Sequence, residues 1–136
     1  MEAFRLQIIT PEKEVLYQGE ITMVEYTTTE GQVGVMKGHI PMTQVIAPGK
    51  LTIYETNNEQ PKVAALMSGF VQIMPDLITI LAEVIEWKEE IDLKRAEDSK
   101  LRAEKLIAEH LSTTDIKRAE LSLKRALVRI SIKSAK

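Results

Sequence analysis

The chain has 136 residues, with 18 Lys/Arg against 20 Asp/Glu, 44% hydrophobic residues and no cysteine. That length suits one ordinary domain or two small ones, and it suffices to bury a real core. The missing cysteine excludes disulfides and thiol chemistry and fits a reducing compartment, and a net charge of −2 argues against a general nucleic-acid binder.

The N-terminus, Met1-Glu2-Ala3-Phe4-Arg5, lacks a basic-then-apolar signal pattern. No apolar run approaches the roughly 20 residues that span a bilayer. Phe4, Leu6 and Ile8 alternate with Arg5, Gln7 and Ile9 before Thr10-Pro11 breaks the run. Leu51 and Ile53 alternate likewise, as do Val63, Ala65 and Met67, then Val71 and Ile73. Met74-Pro75-Asp76-Leu77 has proline at the second position of a turn. Ile78, Ile80, Ala82 and Val84 follow at period two. Short strands punctuated by turns predict an all-β sandwich over residues 1–86.

The least regular part is Glu30 to Leu51, EGQVGVMKGHIPMTQVIAPGKL, which reads as one glycine-rich connection. Gly31, Gly34 and Gly38 are expected to supply positive φ or close backbone approach. The spacing is not that of a phosphate-cradling loop, because no strand–glycine–helix context and no Gly-Lys-Ser/Thr is present.

Beyond Pro75 there is no glycine or proline, and the charge changes sign. Residues 1–87 hold 5 Lys/Arg against 11 Asp/Glu, and residues 88–136 hold 13 against 9. From Glu90 to His110 good helix formers run without a breaker. Ser112-Thr113-Thr114-Asp115 supplies capping residues, and a second helix is expected from about Ile116 to Lys133. Its apolar face is Ile116, Ala119, Leu123, Ala126, Leu127 and Ile130, on an arc of about 100°. A basic stripe of Arg118, Ser122, Arg125, Arg129 and Lys133 lies opposite on about 80°, beside a smaller strip of Leu121, Val128 and Ile132. So short a connection makes the helices an antiparallel hairpin over residues 87–136. The stripe reads either as a solvated face or as a surface for an acidic partner. Nucleic acid is disfavoured because the hairpin holds no aromatic beyond Trp87.

Pairing the helices about Thr113 makes facing residue numbers add to about 226. Arg95, Arg102, Arg125 and Arg129 then gather within a few turns. Asp92 and Glu86 balance only two of them, so a polyphosphate suits the rest, since guanidinium forks bind phosphate bidentately. The plainer reading of Asp92 is a residue favoured at a helix N-terminus and paired with Arg95 at i,i+3. His110 is a helix-end residue with no partner evident from sequence.

The EGQVGVMKGHIP segment followed by APGKL, the run SGFVQIMPDLITILAE, and the helical segments IDLKRA and KRAELSLKRALVRI occur in an order and spacing that resemble the epsilon subunits of bacterial F-type ATP synthases. The resemblance covers essentially the whole chain. It implies an N-terminal sandwich contacting the gamma subunit and the c-ring. It also implies a C-terminal hairpin that either folds against the sandwich or extends along gamma toward the alpha and beta subunits, where it inhibits ATP hydrolysis. It implies no catalysis, no metal site of its own, no transmembrane segment, and a peripheral place on the cytoplasmic face of the bacterial plasma membrane. In some members the hairpin binds ATP as a regulatory ligand through Ile/Leu-Asp-x-x-Arg-Ala, matched here by Ile91, Asp92, Arg95 and Ala96. Glu86, Arg102, Arg125 and Arg129 carry over as further ligand positions, and the resemblance does not specify magnesium. Arg118, Arg125, Arg129 and Lys133 would face an acidic loop on beta. Gln32 stands where many members place Glu in the c-ring-facing loop, and His39 matches the signature histidine, in a structural role. A rotor adaptor without ligand or regulation is the rival reading. An enzyme is disfavoured by the lack of a nucleophile motif, paired histidines or metal-ligand spacing.

Overall fold

A computed structural model describes residues 2–12, 14–109 and 112–135. The chain divides into two compact units, Met1–Glu86 and Trp87–Lys136. His110 lies outside the described residues.

The first unit holds seven strands: β1 Phe4–Ile9, β2 Tyr17–Thr28, β3 Gly31–Val35, β4 Met42–Val45, β5 Gly49–Glu55, β6 Lys62–Ile73 and β7 Leu77–Trp87. The sheet runs β1-β7-β6-β5-β2-β3, with β4 on β6. Because β1 pairs antiparallel with β2 and parallel with β7, the sheet closes on itself as a flattened barrel. The expected all-β domain is thus a sandwich without a long free edge. Phe4, Leu6 and Ile8 on β1 and Ile78, Ile80 and Ala82 on β7 all point into the core, as their alternation requires.

Two devices hid from the alternation. Between Ile21 and Met23 the β2–β5 register shifts, so inward parity passes from Ile21 to Val24, Tyr26 and Thr28. A bulge does this because one extra residue reverses the face of everything after it. On β6 the four consecutive residues Ala64, Ala65, Leu66 and Met67 are all buried, so both faces are covered there. Gly69 follows at φ +137°, where a Cβ would lie 2.0 Å from the Leu81 carbonyl oxygen. Only glycine allows β6 and β7 to approach so closely.

Glu30 to Leu51 is not one connection. It contains β3, β4 and the start of β5, short strands whose glycines and prolines masked their pattern. Gly31 and Gly38 have positive φ, whereas Gly34 is an ordinary strand residue opposite Glu25. The Met74–Leu77 turn forms as expected, with Met74 N–H donating to the Leu77 carbonyl at 2.9 Å. Buried polar groups are matched locally. The Tyr26 hydroxyl donates to Gln44 Oε1 at 2.5 Å, and desolvation pushes its pKa up to about 12. Tyr17 donates to Glu55 and Tyr54 to Glu25 across neighbouring strands.

The second unit opens with a 3-10 turn, Lys88–Glu90, followed by α1, Leu93–Ala108, and α2, Thr113–Ser134. α2 starts three residues before the expected Ile116. Ser112 is its N-cap, accepting from Asp115 N–H at 3.3 Å while its hydroxyl donates to Asp115 Oδ2 at 2.8 Å. Thr113, Thr114 and Asp115 are therefore its first turn rather than a linker.

The helices pack through small residues. Ala96 and Ala103 are the buried residues of α1, and Ala119 and Ala126 are buried on α2 at the same seven-residue spacing. Alanines at heptad spacing let two backbones approach closely. Leu127, expected on the buried face, is 45% exposed, whereas Ile132 of the smaller apolar strip is buried. α1 ends at Ala108 and α2 begins at Thr113, so the connection is centred before Thr113. That sets Ala103 opposite Ala119 and Ala96 opposite Ala126, and it places Lys88 beside Lys133 and Ala135.

Candidate functional site

Each residue of Ile91–Ala96 has a local folding role. Ile91 is 3% exposed, and its N–H closes the 3-10 turn on the Lys88 carbonyl at 3.2 Å. Asp92 is the N-cap of α1, with Oδ1 accepting from Arg95 N–H at 3.1 Å. Its charge also sits at the positive end of the helix dipole. Ala96 lies in the helix seam, and its N–H donates to the Asp92 carbonyl at 3.0 Å. Arg95 is the member of the motif whose side chain is left for other work. It is exposed, and its guanidinium has no hydrogen-bond or ion-pair partner among the described residues.

Helix geometry decides which arginines share a face. Measured from the alanine seam at about 100° per residue, Arg95 and Arg102 on α1 and Arg118, Arg125 and Arg129 on α2 all lie about 80–120° round in the same rotational sense. In an antiparallel pair, equal offsets in the same sense point to one side. The hairpin therefore carries a five-arginine face.

Along that face the register separates two groups. Arg95 is level with Leu127, so Arg125 and Arg129 bracket it, each about 3 Å away along the axis. Arg102 lies seven residues, or about 10 Å, further along α1. It stands nearer Arg118 and donates to Ser99 Oγ at 3.1 Å. On this helical register Arg95, Arg125 and Arg129 fall at one level and Arg102 falls apart from them, where a pivot at Thr113 would have put it beside Arg125.

Arg125 has a further property. Its Nε is buried and has no hydrogen-bond partner among the described residues. A buried donor left unmade costs about 1–3 kcal/mol. An anionic oxygen accepting from it would remove that cost. Glu86 stands near the end of β7, in the first unit. Arg129 is half-buried. Lys133 is engaged within the hairpin, donating to the Lys88 carbonyl at 3.0 Å. Among the described residues no group of three or more His, Asp or Glu could hold a metal ion.

In the first unit, Gln32 is exposed on β3 opposite Thr27. His39 follows Gly38 in the β3–β4 loop, where its Nδ1–H donates to the Ile40 carbonyl at 2.8 Å, which fixes the ring in the loop. Sequence reasoning passed over the apolar residues around it. Met36, Ile40, Met42 and Met74 are all exposed, Ile40 to 76%. Gly38 N–H donates to the Pro75 carbonyl at 3.2 Å and Met42 pairs with Ile73, so these side chains gather at one end of the unit. Exposed apolar residues on neighbouring segments suit an interaction surface.

Comparison with known proteins bears on both units. Residues 3–88 match the model of the ATP synthase delta/epsilon chain beta-sandwich domain, and residues 89–134 match that of its long alpha-helix domain. The ATP synthase epsilon chain of Ruminococcus albus is 39% identical over the whole of both chains. That of Caldanaerobacter subterraneus is 39% identical over 98% of this chain and 95% of its own. Among solved structures, a chain of the Euglena gracilis mitochondrial ATP synthase OSCP/F1/c-ring assembly shares the fold. It aligns with a TM-score of 0.82 at 20% identity, covering 92% of this chain and 78% of its own. A chain of the Tetrahymena thermophila mitochondrial ATP synthase central stalk and c-ring aligns with a TM-score of 0.72 at 14% identity. Matched along both its units, the chain belongs to the ATP synthase delta/epsilon chain family.

Proposed function

We propose that the chain is a non-catalytic epsilon subunit in the central stalk of an ATP synthase, and that ATP holds its C-terminal hairpin closed. Its full-length similarity to proteins named ATP synthase epsilon chain supports the subunit assignment. The first unit docks on the gamma subunit and the c-ring, using the apolar end around Ile40 with Gln32 and His39 nearby. The protein sits peripherally on the cytoplasmic face of the membrane through these partners. No described helix is long and apolar enough to cross it.

The observation that carries the regulatory part is the Nε of Arg125, buried and without a partner among the described residues, on the face that also carries Arg95 and Arg129. The polyphosphate of ATP would accept from guanidinium groups of both helices, and those contacts exist together only while the hairpin is closed. When ATP is scarce, α2 leaves α1, and its stripe of Arg118, Arg125, Arg129 and Lys133 docks on acidic surface of the alpha and beta subunits to inhibit hydrolysis. Calorimetric titration of the full chain with ATP, with and without magnesium, tests the ligand. Saturable binding below millimolar nucleotide is expected, and none at millimolar concentration removes ATP from the mechanism. Deleting residues 88–136 is expected to raise hydrolysis by the assembled enzyme at low ATP.

A rotor adaptor without ligand is the second reading. One observation favours it: Ile91, Asp92 and Ala96 are each accounted for by capping and packing. It predicts neither ATP binding nor an effect of the deletion on hydrolysis.

A further inference from the structure

Two lysines join the open ends of the hairpin reciprocally. Lys133, near the end of α2, donates from Nζ to the Lys88 carbonyl at 3.0 Å and to the Glu89 carbonyl at 3.5 Å. Lys88 donates from its own Nζ to the Ala135 carbonyl at 3.0 Å. Each ammonium thus donates to carbonyls of the opposite segment, Lys133 adding a second donor to the Lys88 carbonyl that already accepts from Ile91 N–H. The carbonyls of the 3-10 turn lack a continuing helix above them, and Ala135 is the C-cap of α2. A cation is also favoured at a helix C-terminus by the dipole, which Lys88 supplies from another element.

From this geometry we infer that Lys88 and Lys133 form a reciprocal clasp that locks the closed hairpin in register with no ligand bound. Local preference does not account for it, because both bonds span more than forty residues of chain. The clasp sits at the end of the hairpin away from its turn. The turn fixes the two helices only where they join, and α2 is 22 residues long. Without a fastening at the far end, α2 would fray from α1 starting there. The alanine seam offers little to stop this, since alanine buries little apolar area. Arg129 lies one turn from Lys133, so the clasp also holds level the arginines that face Arg95, and Lys88 and Lys133 are positioning residues for that group. Lys133 therefore has two uses: it fastens the closed hairpin and joins the basic stripe only after release.

The test uses the full chain without nucleotide. Lys133→Met and Lys88→Met keep the apolar stems and remove the ammonium donors, whereas Lys133→Arg keeps a cationic donor. Hydrogen–deuterium exchange is read at the amides of α2 and, as an internal reference, at those of β1, β6 and β7. In either Met variant, exchange over Ala126–Ile132 should rise about tenfold, with the strands unchanged and Lys133→Arg close to the parent. Because both bonds fasten the same two segments, the double variant should lose less than the product of the single losses. Unchanged exchange in both single variants, or an equal rise in hairpin and strands, overturns the clasp. ATP is absent throughout, so this outcome is independent of whether the arginine face binds nucleotide.

Discussion

Replacing Arg125 by Met should move two measurements in opposite directions. Met keeps an apolar stem of similar length and removes the whole guanidinium. In the ligand-free protein that deletes a buried donor with no partner, which returns about 1–3 kcal/mol to the closed hairpin. It also relieves repulsion between Arg125 and Arg95 on the same face, at most about 1 kcal/mol in water. The closed hairpin should therefore become more stable, and amide exchange across α2 should slow about 5- to 150-fold. For ATP the sign reverses. A charge-assisted hydrogen bond contributes about 1.5–3 kcal/mol, so its loss should weaken binding about 10- to 150-fold. Exchange measured without ligand and calorimetry with ATP give the two numbers on one protein. An arginine with a purely structural role would lower stability when removed. Faster α2 exchange in Arg125→Met, or an ATP affinity within threefold of the parent, refutes the reasoning.

Gly69→Ala should destabilise the first unit by about 3 kcal/mol or more, from a strained φ together with a steric clash on the Leu81 carbonyl. The urea midpoint of the first unit reports this, with the hairpin's exchange unaffected. Ala126→Leu forces a larger side chain into the helix seam and should cost the closed hairpin about 1–3 kcal/mol, seen as faster α2 exchange and weaker ATP binding together. Raising the pH should weaken the first unit, because Tyr26 has its pKa pushed up to about 12 from an ordinary 10.0. Below pH 10 both states hold the proton and the contribution is intact. Between 10 and 12 the unfolded chain loses it first, so stability falls by up to about 1.4 kcal/mol per pH unit for this group. Tyr26→Phe should flatten that slope in urea titrations, while Tyr17 and Tyr54, also shifted upward, keep part of it.

What the sequence made legible followed from regular periods. Phe4, Leu6 and Ile8 could be read as inward-facing because one face of a strand is buried and the other is not. The same logic offered no reading at β2, where the bulge at Thr22 reverses parity without leaving any compositional mark. It failed at β3 and β4, whose glycines and prolines look like loop. In the hairpin, the larger apolar residues drew attention to Leu127, yet the seam is made by alanines that a hydrophobicity pattern weights least. That choice of seam sets the register, and the register decides which arginines meet. The motif residues Asp92 and Arg95 were plain in sequence, but the separation of Arg102 from Arg125 depends on where the turn is centred. The lysine clasp was not legible at all. Lys133 reads as one more member of a basic stripe, and Lys88 as one charge among several before a helix.

The register also determines which arginines can act as the switch. A ligand moves an equilibrium only by its difference in affinity for the two states. Arg95 and Arg102 belong to α1, so contacts they make with phosphate survive when α2 leaves. Those contacts raise affinity for open and closed forms alike. Arg125 and Arg129 belong to α2, and their contacts are lost on opening. Two charge-assisted contacts at about 1.5–3 kcal/mol each give a differential of about 10²- to 10⁴-fold. Turning a 1:99 population into 99:1 needs about 10⁴-fold, so the two α2 arginines reach that range only at its upper end. The clasp narrows the gap by starting the hairpin nearer closed. Arg95→Ala should therefore weaken ATP binding yet leave α2 as protected as in the parent at saturating nucleotide. Arg129→Ala should lower the protection that saturating ATP confers. Exchange across Ala126–Ile132 at saturating ATP distinguishes the two, and equal losses of protection in both variants would mean that the ligand does not discriminate between the helices.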